Sequence, residues 1–325
     1  MDAIKGIAGN NFVVVGRVGM DLYPSAGVSI EDVDNLTADM GGSSANIAAG
    51  IVKLGGKSAL VTSVSDDAVG RFCLKKLAQY GVDSSHVTTV GGEARNSLAL
   101  YESRVQDHQS VIYRNGAADF EMTIADVEAV DYTRFTAFVT AGTVFAAEPS
   151  RSAAFRAFEL ARAASLPIIF DVDYRPYSWP SVEVAADVLS RAGALSDVIV
   201  GNDDEFGFMA GSKDAGLQKA RDLANTTAAI VVYKMGEHGA VTFANGEETR
   251  TGIYRVTALK PTGAGDSFMA GMLSSIAAGH DLKSAVMRGS ACAAIVVAKP
   301  GCAPAMPITS ELDAFLTSHA GPTTT

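Results

Sequence analysis

Six short apolar runs, at residues 12–16, 59–64, 138–142, 167–172, 197–201 and 229–233, are separated by stretches of helical periodicity. Their apolar character is continuous and does not alternate, which marks strands buried on both faces. One intervening stretch, Ala68 to Tyr80, puts Val69, Phe72, Cys73, Leu77 and Tyr80 on a single stripe, with Gly81 as its cap. Strand and helix in alternation predict an α/β chain with a doubly wound, mostly parallel sheet flanked by helices. Two regions break the rhythm. Arg17 to Met40 and Arg95 to Arg114 contain alternating segments such as Ser97-Leu98-Ala99-Leu100-Tyr101, which read as half-exposed antiparallel strands.

With 325 residues, 48% hydrophobic and 19% charged, the chain can bury a large core. A net charge of −10 and no run of Lys and Arg argue against nucleic acid as a partner. Cys73, Cys292 and Cys302 lack paired or metal-ligand spacing, so reduced thiols in a cytoplasmic protein are expected. No basic leader precedes an apolar stretch and no 18-residue apolar run occurs, so neither export nor a membrane role is predicted.

The chemistry points to residues 261–266, Pro-Thr-Gly-Ala-Gly-Asp, which open a helical stretch. Gly263, Ala264 and Gly265 let backbone N–H groups approach an anion, and the helix dipole favours negative charge there. Asp266 beside such a pocket would repel a phosphate unless it takes a proton from an attacking hydroxyl, which suggests phosphoryl transfer to an alcohol. By itself the turn could equally be a glycine-rich bend with Asp266 as a helix cap.

Two rival motifs fail. Gly56-Lys57-Ser58 ends like a Walker P-loop, but Ile51 stands where its first glycine belongs. The dinucleotide pattern GxGxxG fails at Phe268, which disfavours a dehydrogenase.

Gly-Ala-Gly-Asp opening a helix near the C-terminus resembles the second signature of the ribokinase-like (PfkB) carbohydrate kinases. Residues 41–70, GGSSANIAAGIVKLGGKSALVTSVSDDAVG, resemble the first, and the resemblance runs from Phe12 to about Pro307. It implies a core of residues 1–16, 41–94 and 115–320 and a β lid of residues 17–40 and 95–114 that closes over the sugar; the Thr-rich segment 321–325 reads as a disordered tail. A lid has a purpose here, since an open kinase would hydrolyse its nucleotide.

Residues beyond the carboxyl ends of parallel strands are where ligands sit. Asp171, Asp173 and Arg175 follow one run, Asn202 and Glu205 another, Lys234 and Gly236 a third. By resemblance, Asn202, Lys234 and Gly236 meet the nucleotide, and Glu205 with Asn202 helps hold Mg²⁺, through water, near the phosphates of ATP. Asp203 and Asp204 read better as an acidic helix start. On the acceptor side the resemblance gives Asp21, Gly41, Gly42 and Asn46 to the sugar hydroxyls.

A neutral sugar needs no arginine, whereas a carboxylate suits a guanidinium fork. The segments holding Arg114 and Arg175 resemble those of the family's sugar-acid kinases. Asp171-Val172-Asp173-Tyr174-Arg175-Pro176-Tyr177-Ser178-Trp179 is more similar to the 5-dehydro-2-deoxygluconate branch, of myo-inositol breakdown, than to the 2-keto-3-deoxygluconate branch. Either arginine could instead brace the lid by a salt bridge. The expected activity is ATP-dependent phosphorylation of the terminal hydroxyl of a keto-deoxy sugar acid. The alternatives are a 2-keto-3-deoxygluconate or other sugar kinase of the family, or a sensor that lost catalysis, against which Asp266 and Gly263 to Gly265 speak.

Lys260 stands where many members carry an Asp belonging to a potassium site, and its ammonium is expected to replace that cation. Asn96 replaces a usual threonine at the start of a lid strand. Exposed lid edges point to a homodimer.

Overall fold

The computed structural model describes residues 3–104 and 107–322. The expected tail falls largely outside them, since 323–325 are not described. Thirteen strands occur among the described residues: β1 (Asn11–Val15), β2 (Gly19–Tyr23), β3 (Thr37–Gly41), β4 (Lys57–Ser65), β5 (Asp83–Val90), β6 (Leu98–Tyr101), β7 (Ser110–Tyr113), β8 (Ala137–Ala141), β9 (Ile168–Asp171), β10 (Val198–Asn202), β11 (Ile230–Lys234), β12 (Ala240–Ala244) and β13 (Glu247–Thr251). All six apolar runs are strands. They are the central members of one nine-stranded sheet of order β13-β12-β11-β10-β9-β8-β1-β4-β5.

The continuous apolar runs have the predicted cause. Val13, Val15, Phe138 and Phe170 enter one core cluster, while Phe12, Val14, Leu60 and Val139 enter another. Alternate residues of a strand thus feed opposite faces, and both faces are covered by helices. Phe145 anchors the first cluster, with Phe155, Phe158 and Phe170 ring centroids at 4.8, 5.7 and 6.1 Å. Each buried phenyl of this kind contributes roughly 1.5–3 kcal/mol. The stretch Ala68–Gln79 is helical as predicted, capped by the Asp67 carboxylate, which accepts from Val69 and Gly70 N–H, and followed by Gly81 at φ +75°.

Three strands of the large sheet carry no apolar run. β12 pairs antiparallel with β11 and β13 antiparallel with β12, and β5 pairs parallel to β4 at the other edge. β13 reads Glu-Glu-Thr-Arg-Thr, the charged composition that protects an edge from further pairing.

The second sheet, β3-β2-β6-β7, is built from the two irregular regions. The pairs β2–β3 and β6–β7 are antiparallel as expected, but the seam between them, β2–β6, is parallel. Two separate excursions from the core, each returning on itself, meet side by side and therefore share a direction. All three cysteines are buried and unpaired. Among the described residues no helix is long and apolar enough to cross a membrane.

Candidate active site

The carboxyl ends of β9, β10 and β11 converge on the start of the helix Ala264–Ala277 and enclose a cleft of about 420 Å³. Asp171, Arg175, Asn202, Lys234, Gly236 and Asp266 all line it, together with Gly263 to Gly265. Residues drawn from three separate strand ends thus face the glycine-rich turn, as the open-sheet rule requires.

The turn itself differs in one respect from the reading of a loop that precedes a helix. Gly263, at φ +80°, is the cap residue, and Ala264, Gly265 and Asp266 already form the first helical turn. Their N–H groups have no partners one turn earlier, so an anion at the helix mouth would meet them directly. Only glycine suits position 263, because its φ is left-handed and a Cβ there would lie 3.0 Å from the Cys302 sulfur. The Lys234 ammonium adds positive charge: a Cβ on Gly265 would sit 3.5 Å from its Nζ, which also lies 5.5 Å from the centroid of the Phe268 ring.

Asp266 accepts a 2.8 Å hydrogen bond from the amide of Asn46, on the helix Ser43–Lys53. Burial and the field of Asp173 push its pKa up to about 7, against the opposing pull of the Asn46 bond, Arg175 and Lys234. That is the range in which a carboxylate can accept a proton at neutral pH.

Other carboxylates crowd the cleft. Burial raises the Asp171 pKa well above the usual range, with Lys234 opposing, and burial likewise raises Glu205. For Asp173 burial acts in the same sense, but Arg175 at 2.7 Å, the Ser43 hydroxyl and the fields of Arg17 and Arg114 outweigh it and hold this carboxylate ionised. Asp173 also adopts φ +34°, a strained backbone for a non-glycine residue.

Asn202 and Glu205 close a reciprocal capping box on the helix Asp203–Ala210: the Asn202 side chain accepts from Glu205 N–H, and Glu205 accepts from Asn202 N–H at 2.7 Å. One oxygen of each is thereby committed. Among the described residues no group of three His, Cys, Asp or Glu is arranged to hold a metal by itself. Magnesium tolerates this arrangement, because it keeps several waters and takes one or two carboxylates plus substrate phosphates. The surplus of buried acid at Asp171 and Glu205, opposed by Lys234, suits a hydrated divalent ion. Asp203 and Asp204 face away into pairs with Lys213, as their reading as a helix start implied.

On the acceptor side Asp21 is 2% exposed, and burial pushes its pKa up to about 6. Its Oδ2 accepts from the Tyr23 hydroxyl at 2.9 Å, while among the described residues Oδ1 has no partner; the Oδ1 of Asn46 is likewise buried and without one. Gly41 and Gly42 serve their neighbours first. A Cβ at Gly41 would lie 1.8 Å from the Asp21 Oδ1, and one at Gly42, whose φ is +98°, 2.5 Å from the Arg17 carbonyl. Any side chain at either position would collide with Asp21 or with the Arg17 backbone, so both positions require glycine.

The two arginines part company. Arg175 reaches the cleft, whereas Arg114 lines a separate groove, bonded to Asp119 at 2.5 Å and to the Thr143 carbonyl at 3.0 Å. Lys260 is fully buried, its ammonium donating to the carbonyls of Thr262 at 2.5 Å and Val296 at 3.3 Å. Asn96 is buried and ties Ser65 of β4 to the Val18 carbonyl, so it joins core to lid. Arg17, given no role from the sequence, is buried at the lid entrance; its place two residues after the end of β1 was the available signal.

Comparison with known proteins gives three concordant findings. The family described as pfkB family carbohydrate kinase matches residues 10–309. A 5-dehydro-2-deoxygluconokinase of Photobacterium profundum is 36% identical over 312 residues, covering 94% of each chain. Another of the same name, from Geobacillus kaustophilus, is 34% identical over 95% of this chain and 94% of its own. Among solved structures, the fructokinase with bound ATP from Xylella fastidiosa superposes with a TM-score of 0.83 at 22% identity, covering 95% of this chain and 98% of its own. The aminoimidazole riboside kinase of Salmonella enterica gives 0.80 at 22%, covering 95% and 100%.

Proposed function

The chain belongs to the pfkB family of carbohydrate kinases, and within it we propose ATP-dependent phosphorylation of the terminal (C6) hydroxyl of 5-dehydro-2-deoxy-D-gluconate. The names of the relatives at 34–36% identity support the substrate, and a solved structure of the same fold, described with bound ATP, supports the nucleotide. The observation that carries the reading is the set of unpartnered buried acceptors, Asp21 Oδ1 and Asn46 Oδ1, with Asn46 also bonded to Asp266. Buried acceptors without donors are costly, and a polyol supplies those donors.

In this reading the acceptor lies over Asp21 and Asn46 with its terminal hydroxyl at Asp266. Asp266 takes the hydroxyl proton as the oxygen attacks the γ-phosphorus; the bond to the ADP oxygen breaks, and the products are ADP and the phosphate ester. The N–H groups at Gly263 to Gly265 and the Lys234 ammonium stabilise charge on the transferred group, while Asn202 and Gly236 flank the nucleotide. Glu205 and Asn202 would hold Mg²⁺, through water, and the bound ion would neutralise charge on the phosphates. Lys260 holds the turn where a monovalent cation would otherwise bind. Pairing of two lids at their edges, near exposed Leu36, Val111 and Tyr113, would form a homodimer.

An ADP-release assay with ATP and Mg²⁺ tests the reading against 5-dehydro-2-deoxygluconate, 2-keto-3-deoxygluconate, ribose and fructose. Turnover of the first above all others is the expected result. Turnover of neutral sugars alone would leave the kinase and remove the substrate.

A further inference from the structure

The fields of Arg17, Arg114 and Arg175 all bear on Asp173, and the three guanidiniums differ in whether an anion is already in place. Arg114 pairs with Asp119 and lies 4.2 Å from the centroid of the Phe120 ring. Arg175 pairs with Asp173 and is 43% exposed. Arg17 is 6% exposed; its Nη1 donates to the Ser97 hydroxyl at 2.9 Å, its Nε has no partner, and among the described residues it forms no ion pair. A buried cation is ordinarily matched by a contacting carboxylate.

The groups whose fields reach Arg17 do not supply that carboxylate. They are Tyr101, Asp119, Asp21 and Tyr177. Both phenols have raised pKa values through burial and are neutral at ordinary pH. Asp119 is bonded to Arg114. Asp21 is pushed up to about 6 and spends one oxygen on Tyr23. The field of Arg17 also bears on Asp173, which lines the cleft, and on Arg114.

The backbone there is well fixed. The Arg17 carbonyl accepts from the Ala45 N–H at 3.2 Å, and a Cβ on Gly19 would come within 3.3 Å of Nη1. The guanidinium is thus held under the lid, between the strand entering it at Gly19 and the one entering at Leu98. A pre-organised guanidinium with unsatisfied donors is a receptor for a planar anion.

We propose that Arg17 receives the carboxylate of the sugar acid, at the end of the substrate remote from the hydroxyl that meets Asp266. Arg114 and Arg175 then act by positioning Asp119 and Asp173. The inference rests on the sugar-acid reading above and names the residue that discriminates acid from neutral sugar.

The test compares wild type, Arg17→Lys, Arg17→Gln and Arg114→Lys on two acceptors: 5-dehydro-2-deoxygluconate, and the analogue in which its carboxylate is reduced to a primary alcohol. The readout is the ratio of kcat/KM for acid over alcohol, which a merely structural role would not move. Arg17→Gln is expected to lower the ratio about 10- to 100-fold, the range for a lost charge-assisted hydrogen bond, through KM for the acid. Arg17→Lys, which keeps the charge for folding but not the fork, is expected to give an intermediate ratio. An unchanged ratio in both Arg17 variants, or a larger fall in Arg114→Lys, overturns the assignment. Wild type that prefers the alcohol overturns the sugar-acid reading itself, a result distinguishable from the first because it needs no variant.

Discussion

The side-chain amide of Asn46 donates to the carboxylate of Asp266 at 2.8 Å, joining two helices whose residues lie 220 positions apart. The helices can approach because Gly50 faces Ala270, where an added Cβ would come within 2.6 Å of the alanine methyl. Their packing therefore sets the orientation of the carboxylate, and the bond favours its ionised form against burial and Asp173.

Asp266→Asn preserves shape and the Asn46 contact but cannot accept a proton. Its kcat should fall by about 10²- to 10⁴-fold, with ATP affinity measured by calorimetry close to wild type. Near wild-type turnover would refute the assignment of Asp266 as the base.

With a pKa raised to about 7, Asp266 is protonated and inactive in acid, so kcat/KM should rise with pH through about 7. Asn46→Ala removes a bond that lowers this pKa and should move the limb to higher pH. A pH profile that stays in place in the variant contradicts the role given to Asn46.

The same shift has a sign for stability. A carboxylate whose folded pKa lies above its unfolded value of 3.8 favours the fold at low pH, and that contribution is lost as pH rises through about 7. Asp266→Asn should therefore have a higher Tm than wild type at about pH 8, with the difference shrinking towards about pH 5. Thermal scans showing the difference largest in acid would reverse the sign.

The Lys260 ammonium donates to the Thr262 and Val296 carbonyls, and in the proposed reading it stands in for a monovalent cation at the turn. Turnover should be equal in sodium and potassium buffers. Lys260→Met leaves both carbonyls without that donor and should cost about 1–3 kcal/mol of stability per group left unsatisfied. Strong potassium activation of the wild type would sink the idea.

Gly41→Ala places a methyl where the Asp21 Oδ1 now lies. The Asp21 side chain must move, and KM for the acceptor should rise on the order of tenfold, the value of one lost hydrogen bond to a charged group. Calorimetric ATP binding should be retained; loss of both together would mean that the lid, not Asp21 alone, has shifted.

The six parallel strands of the core were legible because burial on both faces leaves an unbroken apolar run. β13 was not, since Glu247, Glu248 and Arg250 are those of an exposed edge, and β5 is rich in Ser and Thr. Asp266, Gly263 and Gly265 were legible because the anion turn is contiguous in the chain. Asp21 and Asn46 came from resemblance, and their unpartnered oxygens became visible only once β2 and the helix Ser43–Lys53 were set beside the turn.

The sequence by itself determined the alternation of strands and helices and the chemistry of the turn at 261–266, because both depend on neighbours within a few residues. Tertiary structure alone decided which of Arg17, Arg114 and Arg175 has no ion pair among the described residues. Arg114 stands five positions from Asp119 and Arg175 two from Asp173, spacings that permit a pair or a ligand-facing fork equally well. Among the described residues Arg17 forms no ion pair, because the fold buries it beneath the lid while Asp119 pairs with Arg114 and Asp173 with Arg175. Ionic pairing depends on distance and burial, and neither is a property of the linear chain.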